Sequence, residues 1–187
     1  MKTIRLQQFF LLILTSSFIN IASLLSQEAQ LSSKEKKAMK KAVAEVNYRI
    51  LDSLVSTRSF ILEANTLRDK YGLNIPVNSS LNFIKVVGEN GVLQTGYETG
   101  IGYNGVGGLT AEGKIGTWRI ERDPKKLTIT VQFSILTNLG NYDIFLRIGS
   151  ADNANATLTG LRPGNLIWDG QIVTLDNSRI FKGYNSY

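Results

Sequence analysis

The chain offers few side chains for acid–base or nucleophilic chemistry. It contains no histidine and no cysteine, and these are the commonest general base and the usual thiolate nucleophile or metal ligand. Four acidic side chains stand out as candidate acids: Glu98, Glu112, Asp143 and Asp169. A glycosidase needs two carboxylates at a set separation, yet no pattern brings two of these together. The sequence therefore predicts no catalytic residue, no metal site and no cofactor.

The most conspicuous local feature is the glycine-rich segment 100–113. Its first six residues match the G-x-G-x-x-G pattern of dinucleotide-binding proteins, in which the glycines open a helix that receives the pyrophosphate. Here further glycines and a strand-like stretch follow instead of a helix. We therefore do not expect a nucleotide site.

Two interpretations of the glycine-rich segment stay open. One is a tightly bent connection between strands, since glycine adopts positive φ and asparagine tolerates it. The other is a loop that grips a ligand, because long loops with aromatic neighbours often carry binding residues. The candidate ligand-binding residues are Tyr97, Tyr103, Asn104, Gly105, Gly107, Gly108 and Thr110.

The elements that position this segment alternate with a period of two. In the stretch 127–135, Leu127, Ile129, Val131, Phe133 and Ile135 alternate with polar residues, which is typical of a half-buried strand. Seven further stretches have similar patterns: 60–62, 81–87, 92–97, 118–120, 142–148, 154–158 and 166–172. Short turn signals separate them and no helical segment intervenes, so we expect hairpins and an antiparallel sheet.

One helix is predicted before the strands. Ser32 and Glu35 have the spacing of a capping box, and an apolar stripe follows at intervals of three and four residues. The stripe consists of Met39, Val43, Val46, Ile50 and Leu54. Such a stripe usually packs on the protein's own core, and a partner-binding helix is the alternative. The predicted fold is mainly β (α+β), with this N-terminal amphipathic helix packed on a strongly curved antiparallel sheet or partial β-barrel of about eight strands.

The N-terminus resembles a secretory signal peptide. Lys2 and Arg5 precede an apolar stretch that polar residues interrupt before it reaches the roughly 20 residues needed to span a bilayer. We expect cleavage after Ser26, with an uncleaved anchor as the alternative. The predicted organisation is a signal peptide over 1–26, a helical segment over 27–56 and an antiparallel β domain over 57–187.

Charge excludes one class of partner. Removing residues 1–26 takes away two basic residues and no acid, so the net charge falls from +6 to +4. Five of the remaining lysines lie within residues 34–41, where they are typical of a solvated helix face. Without a recognition motif, they do not indicate nucleic-acid binding.

Several segments resemble one known family. The run Asn104 to Gly113 is similar to a segment of the family called domain of unknown function 4251, and so are residues 60–64, 81–84, 92–94 and 178–183. The resemblance spans roughly residues 57–185 and implies an exported protein of the Gram-negative cell envelope, with no catalytic residue to transfer. Many members look like lipoproteins, whereas this chain lacks the cysteine that a lipid would need.

Three functions remain open on the sequence. The first is a noncatalytic domain, located in the periplasm or cell envelope, that binds a small or lipid-like ligand in its curved sheet or at the glycine-rich loop; it predicts an apolar cavity. The second is a structural or protein-interaction role in the cell envelope, which predicts a filled interior and an exposed apolar patch. The third is a carboxylate-dependent hydrolase, which requires ionisable groups that converge in one cleft.

Overall fold

The structure is a computed structural model, and it describes residues 32–68, 71–97, 102–160 and 165–186. The predicted signal peptide lies outside these residues. The chain divides into two compact units, residues 1–41 and 42–187. In the first unit the described residues are 32–41, which begin helix α1 (Ser33–Ser56). The amide of Ser32 donates to Glu35 Oε2 over 2.8 Å and the amide of Glu35 donates to Ser32 Oγ over 3.2 Å, which confirms the predicted capping box.

The second unit is built on nine antiparallel strands. They are β1 (Ser59–Arg68), β2 (Asn74–Pro76), β3 (Phe83–Val87), β4 (Asn90–Thr95), β5 (Leu109–Asp123), β6 (Thr128–Thr137), β7 (Gly140–Ile148), β8 (Asn153–Thr159) and β9 (Leu166–Val173). Strands β3 to β9 pair in chain order, and β1 pairs with both β3 and β9. The eight strands other than β2 therefore form a closed barrel, and β2 is an extra strand paired with the end of β1. The predicted curved sheet is confirmed, and its closure is complete.

Alternation along each strand gives the barrel its apolar interior. In β6, the side chains of Ile129, Val131, Phe133 and Ile135 are buried, as the period-two pattern predicts. The residues opposite them in β7, Tyr142, Ile144, Leu146 and Ile148, are buried too. These and the inward side chains of the other barrel strands belong to one continuous apolar cluster. The barrel interior is therefore a packed core rather than an open channel.

Leu127 departs from the predicted strand. It lies before β6, in the turn that follows β5, and adopts a positive φ of 53°. The turn is held by Asp123, whose Oδ1 accepts the amides of Lys125 (3.1 Å) and Lys126 (3.0 Å). Because of this Asx turn, β6 begins one residue later than the apolar pattern alone suggests.

Helix α1 packs on the core as predicted, but the packing face includes only the last residue of the predicted stripe, Leu54. In the second unit its buried residues are Leu51 and Val55, with Leu54 and Tyr48 partly buried. Val43, Val46 and Ile50 are between 50 and 54% exposed, so the expectation that the whole stripe covers the sheet is wrong. The physical reason is the closure of the barrel: a sheet paired edge to edge buries its own apolar face, and it leaves little surface for a helix to cover.

Candidate functional site

The glycine-rich loop is organised by the side chain of Asn104, which is completely buried. Asn104 Nδ2 donates to the carbonyl oxygen of Thr95 (3.0 Å) and to Thr110 Oγ1 (3.1 Å). Its Oδ1 accepts the amides of Val106 (3.1 Å) and Gly108 (2.9 Å). One side chain thus ties the loop to the end of β4 and the start of β5.

The C-terminal residues continue this network. Thr110 Oγ1 donates to Gln94 Oε1 (2.9 Å), and Gln94 Oε1 also accepts the amide of Gly183 (2.8 Å). Gln94 Nε2 donates to the carbonyl oxygens of Leu81 (3.1 Å) and Phe181 (2.8 Å). The carbonyl oxygen of Asn104 accepts the amide of Tyr184 (2.9 Å). Residues 104–113 and 178–183, two of the segments that carry the family resemblance, therefore belong to one hydrogen-bonded structure.

Close backbone approach explains the glycines of the loop. A Cβ on Gly108 would lie 2.1 Å from the carbonyl oxygen of Thr95, and one on Gly183 would lie 2.4 Å from that of Asn104. Gly105 and Gly107 have positive φ values of 75° and 79°, a conformation that favours glycine. These positions are thus required by the fold of the loop itself.

The candidate ligand-binding residues fall into two groups. Asn104 and Thr110 are buried and hydrogen-bonded within the protein, and Gly105, Gly107 and Gly108 shape the backbone around them. Tyr97 is 52% exposed and Tyr103 is 93% exposed. Among the described residues of and next to the loop, the exposed aromatic candidates are thus Tyr97 and Tyr103, and ligand binding there stays a prediction.

The candidate carboxylates are dispersed. Glu112 accepts hydrogen bonds from Lys182 Nζ and Asn185 Nδ2, and the hydrogen bond from Lys182 lowers the pKa of this carboxyl below its ordinary value. Asp169 pairs with Arg68, while Asp143 is exposed on β7. Glu98 lies outside the described residues. Across the ranges that the structure describes, no cluster of three or more acidic side chains could hold a metal ion.

A groove of about 350 Å³ opens at the barrel surface beside β7, β8, β9 and the bulge of β1; most of the residues that line it are polar, although most of its exposed surface is apolar. Arg147 in β7 lies opposite Asn155 in β8, and Asn155 lies opposite Asp169 in β9. Gly170 completes this wall, and a Cβ there would lie only 2.0 Å from the carbonyl oxygen of Glu63. The polar lining residues are Asn65, Thr128, Arg147, Asn153, Asn155 and Asp169. Sequence reasoning missed this groove, because only the register of three strands places its residues side by side.

A second exposed feature is an apolar surface on α1, which we call the helix stripe and define as Val43, Val46 and Ile50. At about 100° per residue, Val46 lies about 140° round the helix from Leu51 and about 180° from Val55. The helix stripe therefore lies away from the face that enters the core. In the first unit, Met39 is 60% exposed. None of the helices among the described residues has the length and apolar character needed to cross a membrane.

A family model and a solved structure both match the chain, and both point to the same family. The family described as domain of unknown function (DUF4251) matches residues 33–172. The crystal structure of a DUF4251 family protein from Bacteroides eggerthii DSM 20697 is similar to the chain, with 28% sequence identity and a TM-score of 0.61. This match covers 73% of the present chain and 93% of the other. No curated protein matches the sequence.

Proposed function

The chain belongs to the DUF4251 family, whose function is unknown, and from this premise we propose that it is an exported, noncatalytic protein that attaches to an anionic membrane surface of the cell envelope. The barrel serves as a rigid scaffold and α1 makes the attachment. The observation that carries this proposal is the helix stripe, in which three apolar side chains are at least half exposed. Export rests on the signal-like residues 1–26, and the absence of a catalytic role rests on the dispersed carboxylates.

Basic residues close to the helix stripe in the sequence favour a lipid surface over an apolar protein groove. Five lysines lie within residues 34–41, just before the helix stripe along the chain, and Arg49 lies three residues after Val46. Side chains three apart are neighbours on a helix surface. Interfacial helices combine an apolar face with lysine and arginine, because the apolar face enters the headgroup boundary while the cations attract anionic lipid.

Pairing with a second copy has less support. Parallel pairing of two α1 helices would bring together the lysines of both copies. Antiparallel pairing with Val43 opposite Val46 would place Lys40 opposite Arg49. Either arrangement sets like charges side by side at the edge of a seam of only a few apolar residues, which destabilises the pair.

Vesicle sedimentation tests the proposal directly. The mature chain from Gln27 should sediment with vesicles that contain phosphatidylglycerol and much less with pure phosphatidylcholine. Val46→Asn should lower the partition coefficient about tenfold, because it removes one apolar side chain from the lipid. Valine and asparagine have similar helix propensities, so α1 should persist.

The matched control is Val87→Asn, at a residue of β3 that is 38% exposed on the barrel. It should leave sedimentation unchanged. If the wild-type protein does not sediment with anionic vesicles, the membrane proposal is wrong. A dimer in light scattering that Val46→Asn dissociates would identify a second copy as the partner.

One observation favours a second candidate function, the binding of a small amphiphile that reaches Trp168 when the packed core around it opens. The indole N–H of Trp168 is completely buried, and it has no hydrogen-bond partner in the described part of the chain. Such donors are normally satisfied, and an oxygen atom on a bound ligand could accept this hydrogen bond. Titration with dodecanoate should then quench tryptophan fluorescence in the wild type but not in Trp168→Phe. Equal quenching in both proteins would exclude this site.

A further inference from the structure

The groove brings together several side-chain hydrogen-bonding groups that no neighbouring residue in the described part of the chain uses. Within the ranges that the structure describes, the side chains of Arg147, Asn153 and Thr128 have no hydrogen-bond or ionic partner. All three line the groove, which is open enough to admit a ligand of a few hundred cubic ångströms, the lower end of ordinary ligand sites. The groove therefore presents one cation, an amide and a hydroxyl to solvent.

The acidic group in the groove does not cancel this cation. Asp169 Oδ2 pairs with Arg68 Nη2 at 3.0 Å, and Asp169 Oδ1 accepts Asn155 Nδ2 at 2.6 Å. Its charge is thereby matched by Arg68, which leaves the guanidinium of Arg147 as the unmatched charge. An anion is the ligand that such a group binds, since a guanidinium can give a carboxylate two parallel hydrogen bonds.

The number of cations limits the charge of the ligand. A phosphate or a sulfate usually meets several cationic or backbone donors, whereas this groove supplies a single unpaired cation. Its other free groups are neutral, and amides and hydroxyls suit the hydroxyls of a sugar. Phe145 does not line the groove, but it lies two residues before Arg147 on the same outward face of β7 and is 45% exposed, so it offers an aromatic surface beside the groove for the C–H face of a pyranose ring.

From these observations we propose that the groove is a binding site for an acidic saccharide that carries one carboxylate per sugar, such as a uronic acid. The carboxylate binds Arg147, the hydroxyls bind Asn153 and Thr128, and the ring packs on Phe145. This site lies apart from the helix stripe and does not depend on attachment to a membrane. It requires no movement of the barrel.

Amide chemical shifts measured by NMR give a direct test, with glucuronate as the probe up to about 10 mM, in the range expected for a single sugar. Glucuronate should shift the amide signals of Gly149, Asn155 and Gly170. Glucose should bind at least tenfold more weakly, since it lacks the carboxylate, and acetate should bind more weakly too, since it lacks the ring. Equal shifts with acetate and glucuronate would show a bare carboxylate site and overturn the saccharide assignment.

Two variants locate the binding groups. Arg147→Gln should lower the affinity for glucuronate at least tenfold, because a hydrogen bond to a charged group is lost. Phe145→Ala should weaken the binding of glucuronate and the binding of glucose to the same extent. The matched control is Arg119→Gln on the outer face of β5, which removes the same charge outside the groove. If Arg119→Gln weakens glucuronate binding as much as Arg147→Gln does, the loss follows from the lower net charge of the protein, and the proposed site is wrong. Absence of any shift in the wild type would also overturn it.

Discussion

Asn104 Nδ2 donates to Thr110 Oγ1 over 3.1 Å, and both side chains are completely buried. This hydrogen bond joins the glycine-rich loop to the N-terminal end of β5. Through Thr110 and Gln94 it also reaches the C-terminal residues. The loop, the strand and the C-terminus are therefore held as one structure by side chains that have no free hydrogen-bonding group to offer.

Asn104→Ala should destabilise the protein by about 3 kcal/mol. It removes two donated and two accepted hydrogen bonds and leaves buried polar groups without partners, each of which costs about 1–3 kcal/mol. Urea unfolding measures the loss. The control is Tyr103→Ala, at a side chain that is 93% exposed, which should change the free energy of unfolding by less than about 0.5 kcal/mol. Equal free energies of unfolding for the two variants would show that the hydrogen bonds of Asn104 do not stabilise the protein.

Phe133→Ala should cost about 3–5 kcal/mol, the usual range for emptying a buried aromatic site. The ring is 2% exposed and its centroid lies 5.1 Å from that of Trp118. Thr130→Ala, on the outward face of the same strand, should cost far less. Chemical denaturation of both variants tests the assignment of the two faces of β6, and similar losses would show that the assignment is wrong.

Glu112→Gln should destabilise the protein at pH 7 but not in acid. Lys182 lowers the pKa of Glu112 below 4.5 in the folded state, so the ionised carboxylate stabilises the fold above the unfolded pKa. This contribution is lost as the pH falls through the lower folded pKa. Both side chains are 39% exposed, so water screens the pair and the loss at pH 7 should stay below about 1 kcal/mol.

Thermal unfolding of Glu112→Gln and of the wild type between pH 7 and pH 3 measures this difference. The two melting temperatures should converge below pH 4.5. Glu89→Gln, at an exposed turn between β3 and β4, serves as the control for loss of a surface charge. A difference that persists unchanged at pH 3 would show that Glu112 acts through its shape rather than through its charge.

Export should remove the first residues of the chain. Protein recovered from the periplasm of the native host should begin near Gln27, because the apolar stretch before it is short and charged residues precede that stretch. N-terminal sequencing determines the start. Peptides from residues 1–20 in the membrane fraction of that host would instead favour an uncleaved anchor.

Local patterns predicted the strands well but could not predict how they close. The alternation in β6 identified four buried residues, and the eight predicted strands correspond to the eight strands of the barrel. The pairing of β1 with β9 leaves no local trace, because it joins residues such as Leu62 and Ile172 that lie far apart in the chain. Closure also removed the surface that the apolar stripe of α1 was expected to cover.

The candidate sites show the same limit. The composition of the glycine-rich segment indicated a special backbone, and the structure places Asn104 at its centre, but the partners of that side chain include Thr95 and Thr110, which the pairing of β4 with β5 brings beside it. The sequence pattern gave even less indication of the groove. Arg147, Asn155 and Asp169 are ordinary outward polar positions in three separate strands, and only the register of β7, β8 and β9 sets them in one row.

The pairing of β1 with β9 also determines when the chain can finish folding. Every hairpin from β3 to β8 can form from neighbouring residues, but closure must wait until residues 166–173 are present. The side chain of Gln94 and the backbone amide of Thr110 must wait for residues 181–186. Such long-range contacts make folding slow. A chain truncated before β9 would expose two unpaired strand edges at once, at β1 and β8, and such edges promote aggregation. The last 22 residues of the described chain, 165–186, thus decide whether a newly synthesised molecule becomes a barrel or an aggregation-prone open sheet.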